Sequence, residues 1–387
     1  MTNTDLFSEF SPVSKADWLQ QIAKDLKGKP LEDLQWQAPD GQIISPWVHA
    51  DDFDTPLAPI SNHADTWEIC EDVHVNDLTI ANRSAMEALE GGAEGLCFWL
   101  EHPLELADLE QLLQGIHLDF IGLHFAGKAV SDNPGIILGF LDRIAQKRGL
   151  NSTQLRGSLA YDPVPVSKTV DWRYLAELVE YAREKFPLFK VIQVSSSENS
   201  SGQTATLLYN AHVYLQKLSE RGISAHTTAN ALQFSIEISK SYFFEIARLR
   251  ALKLLWFNVL NAWGAAPKNP VVQTRFLPET YSDDLYTNMI RGTTMAMAAV
   301  QGGTSQLIVK PYDAGREAKA DYPQAFSRRI ARNVQHLLKM ESALDEVPDP
   351  AAGSYYIETL TQQIAGKAWE DFQLHHTDQS GKSVEYR

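Results

Sequence analysis

Between residues 67 and 313 the chain repeats one pattern eight times: a short apolar run, then a longer segment of helical period. The runs are WEICEDV, GLCFWLE, LDFIGLHF, RGSLAYDP, FKVIQVSSS, LQFSIEIS, VVQTRF and SQLIVKPYD. Amphipathic segments such as NPGIILGFLDRIAQKRG and DWRYLAELVEYAREKF lie between them. Strands this short and apolar suit a parallel sheet covered on both faces, and eight repeats suit closure into a (β/α)8 TIM barrel. A doubly wound open sheet would share the alternation, but no glycine fingerprint of the dinucleotide or P-loop kind follows the first run. The fold class expected is α/β.

The flanks of the repeat differ from it. Residues 1–64 read as an extended N-terminal arm. It holds one helix, SKADWLQQIAKDLKG, with Ser14 as N-cap and Gly28 as stop, followed by turn-rich sequence carrying Trp36 and Trp47. Such a segment has too few apolar contacts for a core of its own, so it is expected to dock on a neighbouring subunit. Residues 65–345 form the barrel, and residues 346–387 a C-terminal helical extension.

A formal charge of −15 spread along the chain argues against nucleic acid or anionic lipid as a partner. Met1 is followed by polar TNTDLFSEF, and no apolar stretch is long enough to span a membrane, so a cytoplasmic protein is expected. The two cysteines, Cys70 and Cys97, match no zinc or CxxC spacing and read as small buried residues.

In a barrel, polar residues at the C-terminal strand ends come first as candidates for chemistry. That set holds Glu71, Asp72, His74, Glu101, His102, His124, Asp162, Ser195 to Glu198, Glu237, Arg275, Lys310 and Asp313. Asp72, His74, Glu101 and His102 offer metal-type ligands without metal-type spacing, and no metal is expected. Glu101 and Glu237 could flank a glycosidic bond. Arg275 is the candidate contact for an anionic substrate, although an arginine ending a strand more often pairs with a carboxylate. Phe98, Leu100, Phe120 and Phe234 are bulky enough to fill the bore.

Four segments, KDLKGKPLEDLQW, MAMAAVQGGTSQL, SRRIARNVQHLL and DPAAGSYYIETLTQQIAGKAWEDF, together with KPY at Lys310, resemble the methylmalonyl-CoA mutase family. The resemblance implies a barrel that threads the pantetheine arm of an acyl-CoA along its axis, closed against a cobalamin-binding domain that generates a radical from adenosylcobalamin. It also exposes departures. Active chains end the first strand in Arg-Gln-Tyr-Ala-Gly, whose tyrosine packs on substrate; here the residues are Cys70, Glu71, Asp72, Val73 and His74. Their fourth strand ends Gln-Asn-Asp, against Ala160, Tyr161 and Asp162. Their fifth supplies a histidine to the thioester carbonyl, where this chain offers Ser196, Ser197 and Glu198. Their last reads Leu-His-Thr-Asn, against Leu307, Ile308, Val309 and Lys310.

Asp72, Ala160, Ser197, Glu198, Ile308 and Lys310 therefore stand as degenerate site positions. Such substitutions are similar to those of the non-catalytic small (beta) subunit of heterodimeric mutases. The resemblance implies a pseudoenzyme that binds no cofactor itself, since Asp-x-His-x-x-Gly and the cobalamin domain are both missing. Its partner would be a homologous large chain carrying adenosylcobalamin, with self-association when alone. Two other readings remain: an active acyl-CoA mutase barrel using a separate cobalamin-binding chain, and an acyl-CoA-binding module without chemistry.

Overall fold

The computed structural model describes residues 11–38, 41–54, 60, 66–166, 169–196, 201–319 and 321–377. Each of the eight predicted runs forms a strand of one parallel sheet. The arm contributes a two-stranded antiparallel ribbon, β1 (Trp36–Gln37) and β2 (Ile43–Ile44). The barrel follows with β3 (Glu68–His74), β4 (Gly95–Trp99), β5 (Gly122–Ala126) and β6 (Arg156–Leu159). The fifth run is interrupted at Val191 into β7 (Leu188–Lys190) and β8 (Ile192–Ser195). Then come β9 (Leu232–Ile238), β10 (Val272–Phe276) and β11 (Gln306–Ile308).

The strand order β7-β6-β5-β4-β3-β11-β10-β9-β8 places the two halves of the interrupted run at opposite ends of the hydrogen-bonded series. Because those halves are joined through one residue, the sheet closes on itself. Gln193 N donates to Tyr161 O at 3.0 Å across the closing edge. The result is a TIM-type barrel of eight strands, one of them split.

Side chains alternate across a strand, so each strand sends one set into the bore and the other towards the helices. The apolar set points outward. Phe98 stacks on Phe125, and Phe234 meets edge-on the ring of Trp256, which belongs to helix Tyr242–Ala262. Such aromatic pairs add about 0.5–1.5 kcal/mol beyond the burial of their area. Phe98, Leu100 and Phe234 are buried in this outer layer and Phe120 lies exposed, stacked on His117. The expectation that these four fill the bore is therefore wrong. Sequence alone does not fix the facing of the alternation to one residue.

Helix Tyr242–Ala262 is apolar nearly all round because it is covered twice, by the barrel and by helix Tyr355–Thr377. Its buried Arg250 reaches both oxygens of Asp349 and of Glu358, and Thr361 Oγ1, tying the C-terminal segment to the barrel. Outward-facing Glu71 likewise receives Arg328 and Arg332 from helix Gln324–His336.

The arm begins with the expected helix, Lys15–Asp25, capped by Ser14 in a reciprocal box with Asp17, and no residue of that helix is buried. Trp36, Phe53 and Ile60 of the arm lie against the chain's own C-terminal segment. Trp36 Nε1 donates to Tyr356 Oη at 2.8 Å, Phe53 stacks on Tyr355, and Ile60 N donates to Asp349 at 2.9 Å.

Candidate functional site

The bore is the site that the topology builds. Its inward residues are Glu68, Cys70 and Asp72 on β3, Gly95, Cys97 and Trp99 on β4, and Gly122, His124 and Ala126 on β5. Arg156 and Ser158 on β6, with Ala160 just beyond it, continue the wall. The far side carries Gln193, Gln233, Gln273, Arg275 and Gln306, where Gln233 Nε2 donates to Gln193 Oε1 (2.8 Å) and Gln273 Nε2 to Gln306 Oε1 (3.1 Å). The lining is small and polar, and it leaves a cavity of about 230 Å³.

Towards the C-terminal mouth, Arg275 and Asp72 close across the bore. Arg275 Nη1 lies 2.8 and 2.6 Å from the two Asp72 oxygens, and Nη2 donates to Cys97 Sγ at 3.1 Å. Trp99 donates its indole N–H to Asp72 (3.0 Å), and its ring lies 5.1 Å beneath the guanidinium carbon. Burial alone would weaken the Arg275 charge, but Asp72 and then Cys97 outweigh it and leave the pKa raised. Burial also pushes the Cys97 thiol up to about 12, so it is no thiolate nucleophile.

Deeper in the bore, buried His124 holds Ser158 Oγ at 2.8 Å through Nδ1 and Glu68 Oε2 at 2.9 Å through Nε2. Arg156 Nη2 lies 3.4 Å from the other Glu68 oxygen, and Cys70 Sγ lies 3.6 Å from Oε2. Burial tends to raise the Glu68 pKa. The His124 hydrogen bond and charge, followed by Arg156, reverse the direction and leave it lowered.

The sequence-predicted residues divide between this site and its surroundings. Asp72 and Arg275 come together as a closed pair, Ala160 lines the cavity, and Ile308 is buried in the bore with Cys70, Cys97 and Ala126. Lys310 sits outside that group, its ammonium 5.9 Å from the ring centre of Tyr281 while its backbone oxygen accepts from Tyr281 Oη at 2.7 Å. Ser197 and Glu198 lie outside the described residues. Glu71 faces the helices rather than the bore. His74 stacks on Trp99, and Glu101 and His102 are exposed. The ligand-type side chains that converge among the described residues are instead Glu68, Cys70 and His124.

Asp162 accepts from Ser195 N (2.8 Å), Ser195 Oγ (3.0 Å) and Tyr214 Oη (2.7 Å), and burial still raises its pKa to about 6. Sequence reasoning missed Glu68, Ser158 and the four glutamines. The signal was present in LQFSIEI, where Gln233, Ser235 and Glu237 fall on alternate positions, the period of one strand face.

Residues 104–385 match the family model described as methylmalonyl-CoA mutase. The chain is 31% identical, over 95% of its length and 63% of the relative's, to a methylmalonyl-CoA mutase small subunit of Porphyromonas gingivalis. A small subunit of Streptomyces virginiae matches at 27% over 95% of this chain and 64% of its own length. The large subunit of the same organism matches at 26% over 93% and 56%. The chain thus spans less than two thirds of the length of these relatives.

Proposed function

Since the chain belongs to the methylmalonyl-CoA mutase family, we propose that it is a small, non-catalytic subunit of an adenosylcobalamin-dependent methylmalonyl-CoA mutase, docking on a homologous large chain and stabilising it. The observation that carries the reading is the Asp72–Arg275 pair braced by Trp99, which crosses the mouth of the bore. An acyl-CoA entering along the axis meets this pair, and the cavity beside it, about 230 Å³ and lined by Arg275, Trp99 and Ala160, falls below the ~300–1,000 Å³ of typical ligand pockets. Arg275 is already engaged on three sides and offers no free charge to an acyl carboxylate.

One feature of the mouth supports assigning adenosylcobalamin to the large chain. The imidazole of His74 is stacked on Trp99 and, among the described residues, has no carboxylate partner of the kind that orients a metal-bound histidine. The cofactor is assigned to the large chain, and no chemical step to this one. In this reading the partner gains a packed, homologous surface, and interconversion of methylmalonyl-CoA and succinyl-CoA takes place in the partner's barrel.

The test is to purify the chain alone and co-expressed with a large mutase subunit, then to measure adenosylcobalamin-dependent isomerisation of methylmalonyl-CoA. Co-purification at equal stoichiometry, with activity only in the complex, is expected. Turnover by the chain alone with added cofactor, or with a separate cobalamin-binding chain, overturns the reading. The small polar lining of the bore favours a second one, an acyl-CoA-binding module without chemistry. Calorimetric titration of the isolated chain with methylmalonyl-CoA separates the two, because only the second expects saturable binding.

A further inference from the structure

We infer that Glu68, Cys70 and His124 form a binding site for a single divalent cation of the zinc class inside the barrel. Their ligand atoms all lie within 4.8 Å of one another. A tetrahedral zinc ion, with bonds of about 2.3 Å to sulfur and about 2.0 Å to nitrogen and oxygen, holds its S···O pair about 3.5 Å apart and its N···O pair about 3.3 Å apart. The chain already holds Cys70 Sγ 3.6 Å from Glu68 Oε2, and His124 Nε2 2.9 Å from the same oxygen. Of these two distances only the second must widen, by a few tenths of an ångström, and Cys70 Sγ and His124 Nε2 lie within 4.8 Å of each other.

The surroundings are arranged for a ligand set. His124 Nδ1 can donate to Ser158 Oγ, which leaves the Nε2 lone pair facing the site; this is the outer hydrogen bond that fixes the tautomer of a metal-bound imidazole. Arg156 takes the other Glu68 oxygen, Oε1, and so orients the carboxylate. Beside the Glu68 carboxylate, β4 and β5 present glycines to the bore. A Cβ at Gly122 would stand 2.1 Å from Glu68 Oε1, and one at Gly95 would stand 2.9 Å from Cys70 Sγ. The register aligns Cys70 with Gly95 and Gly95 with Gly122, so the two glycines lie side by side where the carboxylate fits.

One thiol, one imidazole and one carboxylate select a borderline cation over magnesium or calcium. On binding, the metal bonds to thiolate sulfur, imidazole nitrogen and carboxylate oxygen. The proton of the Cys70 thiol, and any proton shared between His124 and Glu68, leaves to water. The site sits away from the C-terminal mouth, so its effect is to brace the inner wall rather than to react.

Cobalt(II) is the probe, because it reports thiolate ligation by a near-ultraviolet charge-transfer band, and the chain has only 2 cysteines. The full-length chain is expected to develop that band with one equivalent of Co²⁺ and to lose it on addition of one equivalent of Zn²⁺. Cys97→Ser should keep the band, Cys70→Ser should abolish it, and Ser158→Ala should weaken binding by about 10–100-fold. Absence of the band in the wild-type chain, its loss in Cys97→Ser, or its survival in Cys70→Ser each overturns the site. If Cys70→Ser fails to fold by circular dichroism, Cys97→Ser still decides, since its band can arise from Cys70 alone.

Discussion

Replacing Arg250 with methionine should remove the clamp that holds the C-terminal segment on the barrel. The guanidinium lies 2.8 and 3.0 Å from the Asp349 oxygens, 2.7 and 3.2 Å from the Glu358 oxygens and 2.9 Å from Thr361 Oγ1. Side-chain exposure is 1% for Arg250, 4% for Asp349 and 8% for Glu358, so the variant leaves two carboxylates buried without a counter-charge. Breaking a buried pair in this way costs about 3–5 kcal/mol. With an unfolding entropy of about 2.1 cal/mol/K per residue, 387 residues unfolding as one unit would lose about 4–6 °C in Tm. Calorimetry of wild type and variant measures the difference. The triple variant Arg250→Met with Asp349→Asn and Glu358→Gln should recover most of it, because the orphaned charges are gone. A single-variant loss under about 1 °C, or a triple variant no better than the single, would show that the cluster is not electrostatically coupled.

Asp162 and the glycines give two further outcomes. Burial raises the Asp162 carboxyl from 3.8 to about 6 in the folded chain. Its stabilising contribution is therefore complete below the unfolded value and falls as pH rises through about 6, by up to about 3 kcal/mol. Urea titrations from pH 4 to 7 should show wild type losing stability relative to Asp162→Asn across that window; a constant difference refutes the assignment. A Cβ at Gly157 would meet Leu123 O at 1.8 Å and force β5 and β6 apart, whereas one at Gly139 meets nothing within 4 Å. Gly157→Ala is accordingly expected to lose at least about 3 kcal/mol or fail to fold, and Gly139→Ala, within helix Pro134–Lys147, to gain about 0.5–1 kcal/mol by chemical denaturation.

The eight strands were legible because each is a short apolar run bounded by turn residues, and closure followed from their number. Which face of each strand meets the bore was not. In a solvated sheet the polar face points to water, so a polar alternation such as Gln233, Ser235 and Glu237 reads as outward. Here the helices cover the outside and the polar residues turn in. Asp72 and Arg275 were each legible as strand-end residues. Their pairing depends on two strands separated by β11, a relation that no local pattern carries. Glu68, His124 and Ser158 converge for the same reason, from three strands, with Glu68 and Ser158 90 positions apart along the chain.

The division between an apolar outer wall and a polar bore separates what keeps this chain folded from what it can do. Stability rests on the layer between strands and helices, where Phe98, Phe125, Phe234 and Trp256 pack. A change of one bore residue for another of similar size alters hydrogen bonds worth about 0.5–1.5 kcal/mol each and leaves that layer intact. A lineage of such barrels can therefore shed one chemistry, close its entrance with a salt bridge and acquire another ligand, while selection acting on the fold registers little of the exchange. The same latitude is open to an engineer, who could exchange bore residues for others of similar size and hydrogen-bonding capacity while leaving the outer layer untouched.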